Sequence, residues 1–352
     1  MSNLIFVLSL SVLLTAILAW GFKNLTGERW QFLAAVPVAK RNPEEWNGLN
    51  LTTYGLVNAG AYLFSAAIFF VLLGAISVPL PSVYALVLLV LFVAMPASRI
   101  IARVVEKKAY TFTVGGASFA GLLAAPVVVL AINEVSGPGG PTAIPMLPAL
   151  ATLSIAYSFG EGLGRLACIS FGCCYGKPWS EAHPLLRKLF MNRSFTFFGK
   201  TKKIAYESGL DGEKVVPIQA VTSVIYVSVG LVGTMGYLAS SYEWAFLFTV
   251  AATQGWRAIS EIFRSDYRGG RKVSAYQKMA ILAVFLAFAI VFLLPAGPTP
   301  TSKPDVMSGL SSIWNPGILL SLQALGLLVF TYMGRSRVTG STLSFHVHQE
   351  HI

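Results

Sequence analysis

The chain has 352 residues, of which 55% are hydrophobic and only 12% charged. A soluble domain carries about 25% charged residues, and disorder needs low hydrophobicity, so both classes are excluded. The formal charge is +11; in a chain this apolar, basic residues are read first as membrane-topology signals, and no nucleic-acid partner is expected.

A bilayer-spanning helix needs about 20 mostly apolar residues. Nine stretches qualify, at roughly 3–20, 54–77, 83–104, 112–132, 147–171, 217–239, 244–263, 277–295 and 313–333. The first run, Asn3 to Trp20, has no basic residue before it and Lys23 just after it. A secretory signal has the reverse order, so this run is expected to stay as a membrane anchor. The runs are continuously apolar rather than alternating, which argues against a β-barrel. The expected fold is an all-α integral membrane protein, a polytopic bundle of about nine transmembrane helices with a small extramembrane head.

The connections fall into two sets. Those at 21–53, 104–111, 172–216, 264–276 and the tail from Gly334 are rich in Lys and Arg; those at 78–82, 133–146, 240–243 and 296–312 are poor. Of the 26 Lys and Arg residues only Lys303 falls in the poor set, the rest lying in the rich set or in helix segments near it. The positive-inside rule then puts the rich face in the cytoplasm and the N-terminus outside. The 172–216 connection is the one long enough for a head. It interleaves Lys177, Arg187, Lys188, Arg193, Lys200, Lys202, Lys203 and Lys214 with Trp179, Phe190, Phe195, Phe197 and Phe198. Such a segment either packs on the membrane surface as a solvated loop or attracts acidic headgroups.

Charges inside spans are costly and mark function by default. The fifth span reads Gly160-Glu161-Gly162-Leu163-Gly164-Arg165, with Glu161 and Arg165 one turn apart, the acid first, which is the favourable order. The seventh carries Arg257, Glu261 and Arg264. Two readings stay open: ion pairs that lock helices together, or a positive cavity for a phosphate, whose oxygens suit the guanidinium fork. Gly115, Gly116, Gly160, Gly162, Gly164, Gly172 and Gly176 crowd the same face. They allow either close helix packing or close approach to a ligand.

The run Cys168-Ile169-Ser170-Phe171-Gly172-Cys173-Cys174-Tyr175-Gly176 is the most distinctive in the chain. Cys-x4-Cys-Cys is not a standard zinc spacing, and no metal or cofactor is expected. Adjacent Cys173 and Cys174 pair with each other only with difficulty. A nucleophilic cysteine beside Arg165 is chemically reasonable, since positive charge favours the thiolate. His183 is not placed as its base, and His346, His348 and His351 read as a solvated tail.

Gly164-Arg165 followed by Gly172-Cys173-Cys174-Tyr175-Gly176 resembles the signature of the prolipoprotein diacylglyceryl transferases. Other pieces occur in the same order: Tyr54-Gly55 and Gly115-Gly116 opening spans, Pro217-Ile218-Gln219, Glu261-Ile262-Phe263-Arg264 with Asp266, and Gln277. The resemblance covers roughly 54–295. It implies three parts: an extra anchor and basic loop at 1–53, a seven-helix transferase-like core at 54–295, and an added helix and tail at 296–352. That family works in the bacterial cytoplasmic (inner) membrane. It moves the diacylglyceryl group of phosphatidylglycerol to a cysteine thiol of an exported lipoprotein precursor, and glycerol 1-phosphate leaves.

By resemblance, Arg165 and Arg264 hold the phosphoglycerol, with Glu161 and Cys173 as remaining local candidates for catalysis. Tyr54, Gly115, Gly116, Gly164, Cys168, Gly172, Cys174, Gly176, Gln219, Arg257, Glu261 and Gln277 would line the substrate site. The departures are specific. Thr113 or Val114 and Val216 stand where the family has histidines, Cys168 where asparagine is common, and Cys173 where glutamate is common. The family's signature face is extracytoplasmic, whereas the charge pattern here puts it in the cytoplasm. A lipid-group transferase acting on a cytosolic or lipid acceptor, or a transporter or lipid-binding protein on the same scaffold, is therefore carried as the alternative.

Overall fold

A computed structural model describes residues 2–106, 113–137, 140–265, 273–294, 300 and 303–352. Asp266, the basic residues Lys107, Lys108, Arg268, Arg271 and Lys272, and the expected boundary at 295/296 lie outside the described residues.

In chain order the helices are α1 (Ser2–Asn24), α2 (Thr53–Ala75), α3 (Leu80–Glu106), α4 (Val114–Ser136), α5 (Met146–Phe171), α6 (Pro184–Phe190), α7 (Lys203–Ser208), α8 (Ile218–Leu238), α9 (Tyr242–Ser260), α10 (Ala275–Leu293), α11 (Val306–Ile313) and α12 (Pro316–Met333). The strands are β1 (Phe32–Lys40), β2 (Glu45–Thr52), β3 (Phe195–Thr196), β4 (Lys214–Val215) and β5 (Arg335–Ser344). Among the described residues, seven helices are long and apolar enough to cross a membrane: α1, α2, α3, α4, α8, α10 and α12. The protein is a multi-pass helical membrane protein. The long helices outside that set, α5 and α9, carry Glu161, Arg165 and Arg257.

Local chemistry sets the helix ends. The Thr52 side chain accepts from Gly55 N at the start of α2. Ser274 and Gln277 form a reciprocal capping box on α10, satisfying donors that a helix start leaves open. Asp305 caps α11, and Asn315 with Pro316 opens α12. At the end of α5, Gly172 takes φ +74°, ψ +31° and donates to Cys168 O and Ile169 O. Only glycine adopts this left-handed conformation without steric cost.

The core centres on α5, which packs against α2, α8 and α9. Ala149, Ile155 and Phe159 are fully buried there. Gly162 lets α8 come close: a Cβ on it would sit 3.0–3.1 Å from Val227 and Tyr226, and Ser223 Oγ donates to its carbonyl at 2.6 Å. The outside is apolar instead. Phe92 is 77% exposed and Phe292 75%, a surface suited to lipid and not to water.

Hydrogen bonds tie each set of connections together. At one end Asn3 Nδ2 donates to Leu238 O and Pro304 O, Asp305 N to Ala75 O, and Ser82 Oγ to Thr142 O. At the other end Gln31 Nε2 donates to Thr201 O, Lys177 N to Phe263 O, and Thr52 N to Gly334 O. The described parts of the Lys/Arg-poor and Lys/Arg-rich connections thus gather at opposite ends of the bundle.

Two features depart from the sequence reading. The 21–53 segment is not a loop, and the tail does not start as one. They form a three-stranded antiparallel sheet ordered β1-β2-β5, with Val36 opposite Leu49 and Leu49 opposite Gly340. An all-α description therefore misses a sheet joining the two flanking segments. Beyond β5 the histidine-bearing tail is exposed as expected. In the head, β3 pairs with β4, and Phe195 and Phe197 are buried rather than surface-lying.

Candidate functional site: a buried arginine cleft

Glu161 and Arg165 lie one turn apart on α5 and form an ion pair. In the last turn of α9, Arg257 reaches the same carboxylate, with Nη1 3.8 Å from Glu161 Oε1, and donates to Tyr157 Oη at 3.4 Å. Past α9, a 3₁₀ turn at Glu261–Phe263 presents Arg264, whose Nη1 lies 3.8 Å from Glu261. The Arg165, Arg257 and Arg264 side chains are 13%, 10% and 7% exposed. Three cations and two anions in so dry a place have expensive desolvation, and packing alone rarely justifies it.

Arg165, Arg257, Arg264, Glu261, Cys174, Gln219, Ile218, Thr222, Tyr226 and Ser260 line one cleft. Its free volume is about 10 Å³, room for a single water. Gln219 Nε2 donates to Cys173 O at 3.0 Å. Among the described residues, Gln219 Oε1, Arg165 Nε and Arg257 Nε have no hydrogen-bond partner. Buried polar atoms are nearly always satisfied, so these three are open to a polar partner.

The remaining expected residues surround the cleft in different ways. A Cβ on Gly115 would lie 2.6 Å from Arg257 Nη2 and 3.0 Å from Tyr276, so this glycine makes room for the guanidinium. Gly176 bridges to Arg264 through the backbone, and a Cβ there would run into Val216 O. Cys168 and Cys173 stand beside Cys174. Tyr54 meets Phe171 at a tilt, with ring centres 5.4 Å apart, and is not among the cleft-lining residues. Gly164 faces Asn58 of α2, and Gly116 packs α4 on Ile101 of α3. Gln277 caps α10 and donates to Ala258 O at 2.9 Å. These last three are placed by packing and capping rather than in the cleft.

Sequence reasoning missed Tyr157, Tyr226, Thr222 and Ser260. Tyr157 precedes Glu161 by one turn and meets Tyr226 edge-on at 6.1 Å. Tyr226 donates to Thr253 O, and Trp256 Nε1 donates to Thr222 Oγ1. A search for polar residues one turn from each buried charge would have found Tyr157 and Ser260.

Neither a scan against protein-family models nor a search of curated proteins finds a match to this chain.

Proposed function

We propose that this chain is a membrane-embedded lipid-group transferase. Its donor is an anionic phospholipid, phosphatidylglycerol by resemblance, and its acceptor a thiol or other nucleophile. In this reading α5 and α9 also cross the cytoplasmic (inner) membrane, giving nine spans, because their charges are paired inside the bundle rather than turned to lipid. The observation that carries the proposal is the convergence of Arg165, Arg257 and Arg264 on one cleft beside Gly172–Gly176.

The acceptor sulfur attacks the glyceryl carbon that bears the phosphate ester. The carbon–oxygen bond breaks, and glycerol phosphate leaves with the bonding pair. Negative charge grows on phosphate oxygens, where fixed guanidinium donors act best. In the resting chain Glu161 and Glu261 hold these forks; an incoming phosphate takes their place. A glycerophosphate group exceeds the resting free volume of about 10 Å³, so the ends of α5, α8 and α9 part to admit it. Val216, and Thr113 or Val114, stand where the family has histidines, so in this reading the acceptor enters already as the thiolate.

The acceptor depends on the side of the membrane. The concentration of Lys and Arg at the cleft end favours a cytoplasmic face and hence a cytosolic acceptor over an exported precursor. The test is purified protein in phosphatidylglycerol vesicles with an acceptor thiol. The transferase reading expects glycerol phosphate release that depends on the thiol. Solute movement across the vesicle without that release would refute it and support a transporter.

A further inference from the structure

The chain has three cysteines, and the fold brings all of them together. Cys168, Cys173 and Cys174 have their Sγ atoms within 4.8 Å of one another, with Cys168 and Cys174 3.8 Å apart. We propose that these thiols form a three-thiolate site for a soft metal ion of the Zn²⁺ or Cu⁺ class. The site borders the cleft of the lipid-transfer reading, but metal binding needs neither its donor nor its acceptor.

The backbone is shaped for this convergence. Cys168 sits in the last turn of α5. Gly172 reverses the chain in the left-handed conformation, and Cys173 N donates to Cys168 O at 3.0 Å. Cys174 then also adopts positive φ, +56°, which a non-glycine residue does at a steric cost. Such strain persists where the surroundings impose it and clusters at functional sites. Two left-handed residues within three positions turn a spacing that looks wrong for a metal in linear sequence into a compact triangle. Gln219 fixes the Cys173 carbonyl from α8.

The dimensions fit the chemistry. A metal–sulfur bond of about 2.3 Å puts ligand sulfurs about 3.8 Å apart in a tetrahedron and about 4.0 Å apart in a trigonal plane. The Cys168–Cys174 separation matches the first and lies close to the second, and Cys173 Sγ lies within 4.8 Å of both. Among the described residues no His, Asp or Glu joins the group. A purely thiolate set selects soft ions and rejects Mg²⁺ and Ca²⁺, which take oxygen ligands. Three thiolates with Zn²⁺ leave one net negative charge, and with Cu⁺ two. Arg165 and Arg264, which share a cleft with Cys174, offset it. The same cleft gives an ion its way in. Binding replaces thiol protons with metal and releases them to solvent, so affinity falls as pH falls.

The test uses the full chain in detergent, reduced and stripped of metal. Zn²⁺ alone and Cu⁺ alone are titrated against a competing chelator, with the reactive thiols counted by alkylation. The proposal expects one ion per chain from at least one arm, with all three thiols protected on loading and restored by chelator. A trigonal site gives the tighter binding to Cu⁺, a tetrahedral site with an open position to Zn²⁺. A Cys168→Ser/Cys174→Ser double variant should lose the protection of Cys173. Thiols that stay reactive at saturating metal overturn the proposal, including the case where Zn²⁺ sits on His346, His348 and His351. Thiols recovered only by a reductant also overturn it, since they report a disulfide. The protection readout in the native sequence keeps the test decisive even if the double variant fails to fold.

Discussion

Lys202 shows how one residue can join the head to the bundle. It is fully buried, and its ammonium donates to Leu25 O at 3.3 Å and Ser170 O at 2.7 Å. These carbonyls lie at the C-terminal ends of α1 and α5, where a cation suits the helix dipole. Burial nevertheless pushes this amine from its ordinary 10.5 down to about 8, with Glu28 pulling the other way. The unfolded chain keeps the proton up to 10.5, so between pH 8 and 10.5 the unfolded state binds more protons. Stability from this group therefore rises with pH across that window and is flat below it. Thermal unfolding of the native chain should gain on Lys202→Met as pH climbs through that range; parallel curves would contradict the assignment. The residue was visible in the sequence only as one basic residue among many in 172–216. Nothing in a linear pattern says which lysine of a basic run turns inward. Glu161, Arg165, Arg257 and Arg264 were legible for the opposite reason, because a charge in an apolar span is conspicuous.

At the scale of elements, α4 serves the cleft through an absence of side chain. Gly115 leaves the space that the Arg257 guanidinium fills. In Gly115→Ala the new methyl lies 2.6 Å from Nη2, and the flexible end of the arginine gives way rather than the helix. Misplacing a catalytic contact by about 1 Å can cost 10²-fold in rate. The variant should keep its melting temperature within a few degrees and lose about 10²-fold in turnover; full activity would detach Arg257 from the site. The helices themselves were readable because each apolar run approaches the bilayer thickness. The β1-β2-β5 sheet was not, because β2 pairs with residues almost 300 positions away in sequence, as in Leu49 opposite Gly340, and no local period reports such a pairing. The cysteine triangle was hidden by the same limit: spacing rules assume ordinary turns, and this one uses left-handed backbone at both Gly172 and Cys174.

For the whole molecule, the separation of connections into two ends is a property of the fold, whereas which end meets the cytoplasm rests on charge. The head lies with the cleft at the Lys/Arg-rich end and is docked there by Gln31, Lys202 and the Lys177–Phe263 backbone bond. Asn192 is exposed on that head. In intact cells Asn192→Cys should resist a membrane-impermeant thiol reagent and react only after lysis. Labelling in intact cells would place the head outside and restore exported precursors as acceptors.

The central claim is that buried guanidinium groups hold the phosphate of a lipid donor. Its most direct test is the rate of glycerol phosphate release from phosphatidylglycerol vesicles by the native chain and by Arg165→Lys and Arg264→Lys. Lysine keeps the charge but loses the fork. Each variant should release glycerol phosphate about 10²–10³-fold more slowly, the usual loss when one donor to a developing oxyanion is removed, with unchanged melting temperature. Equal rates in all three proteins would contradict the claim.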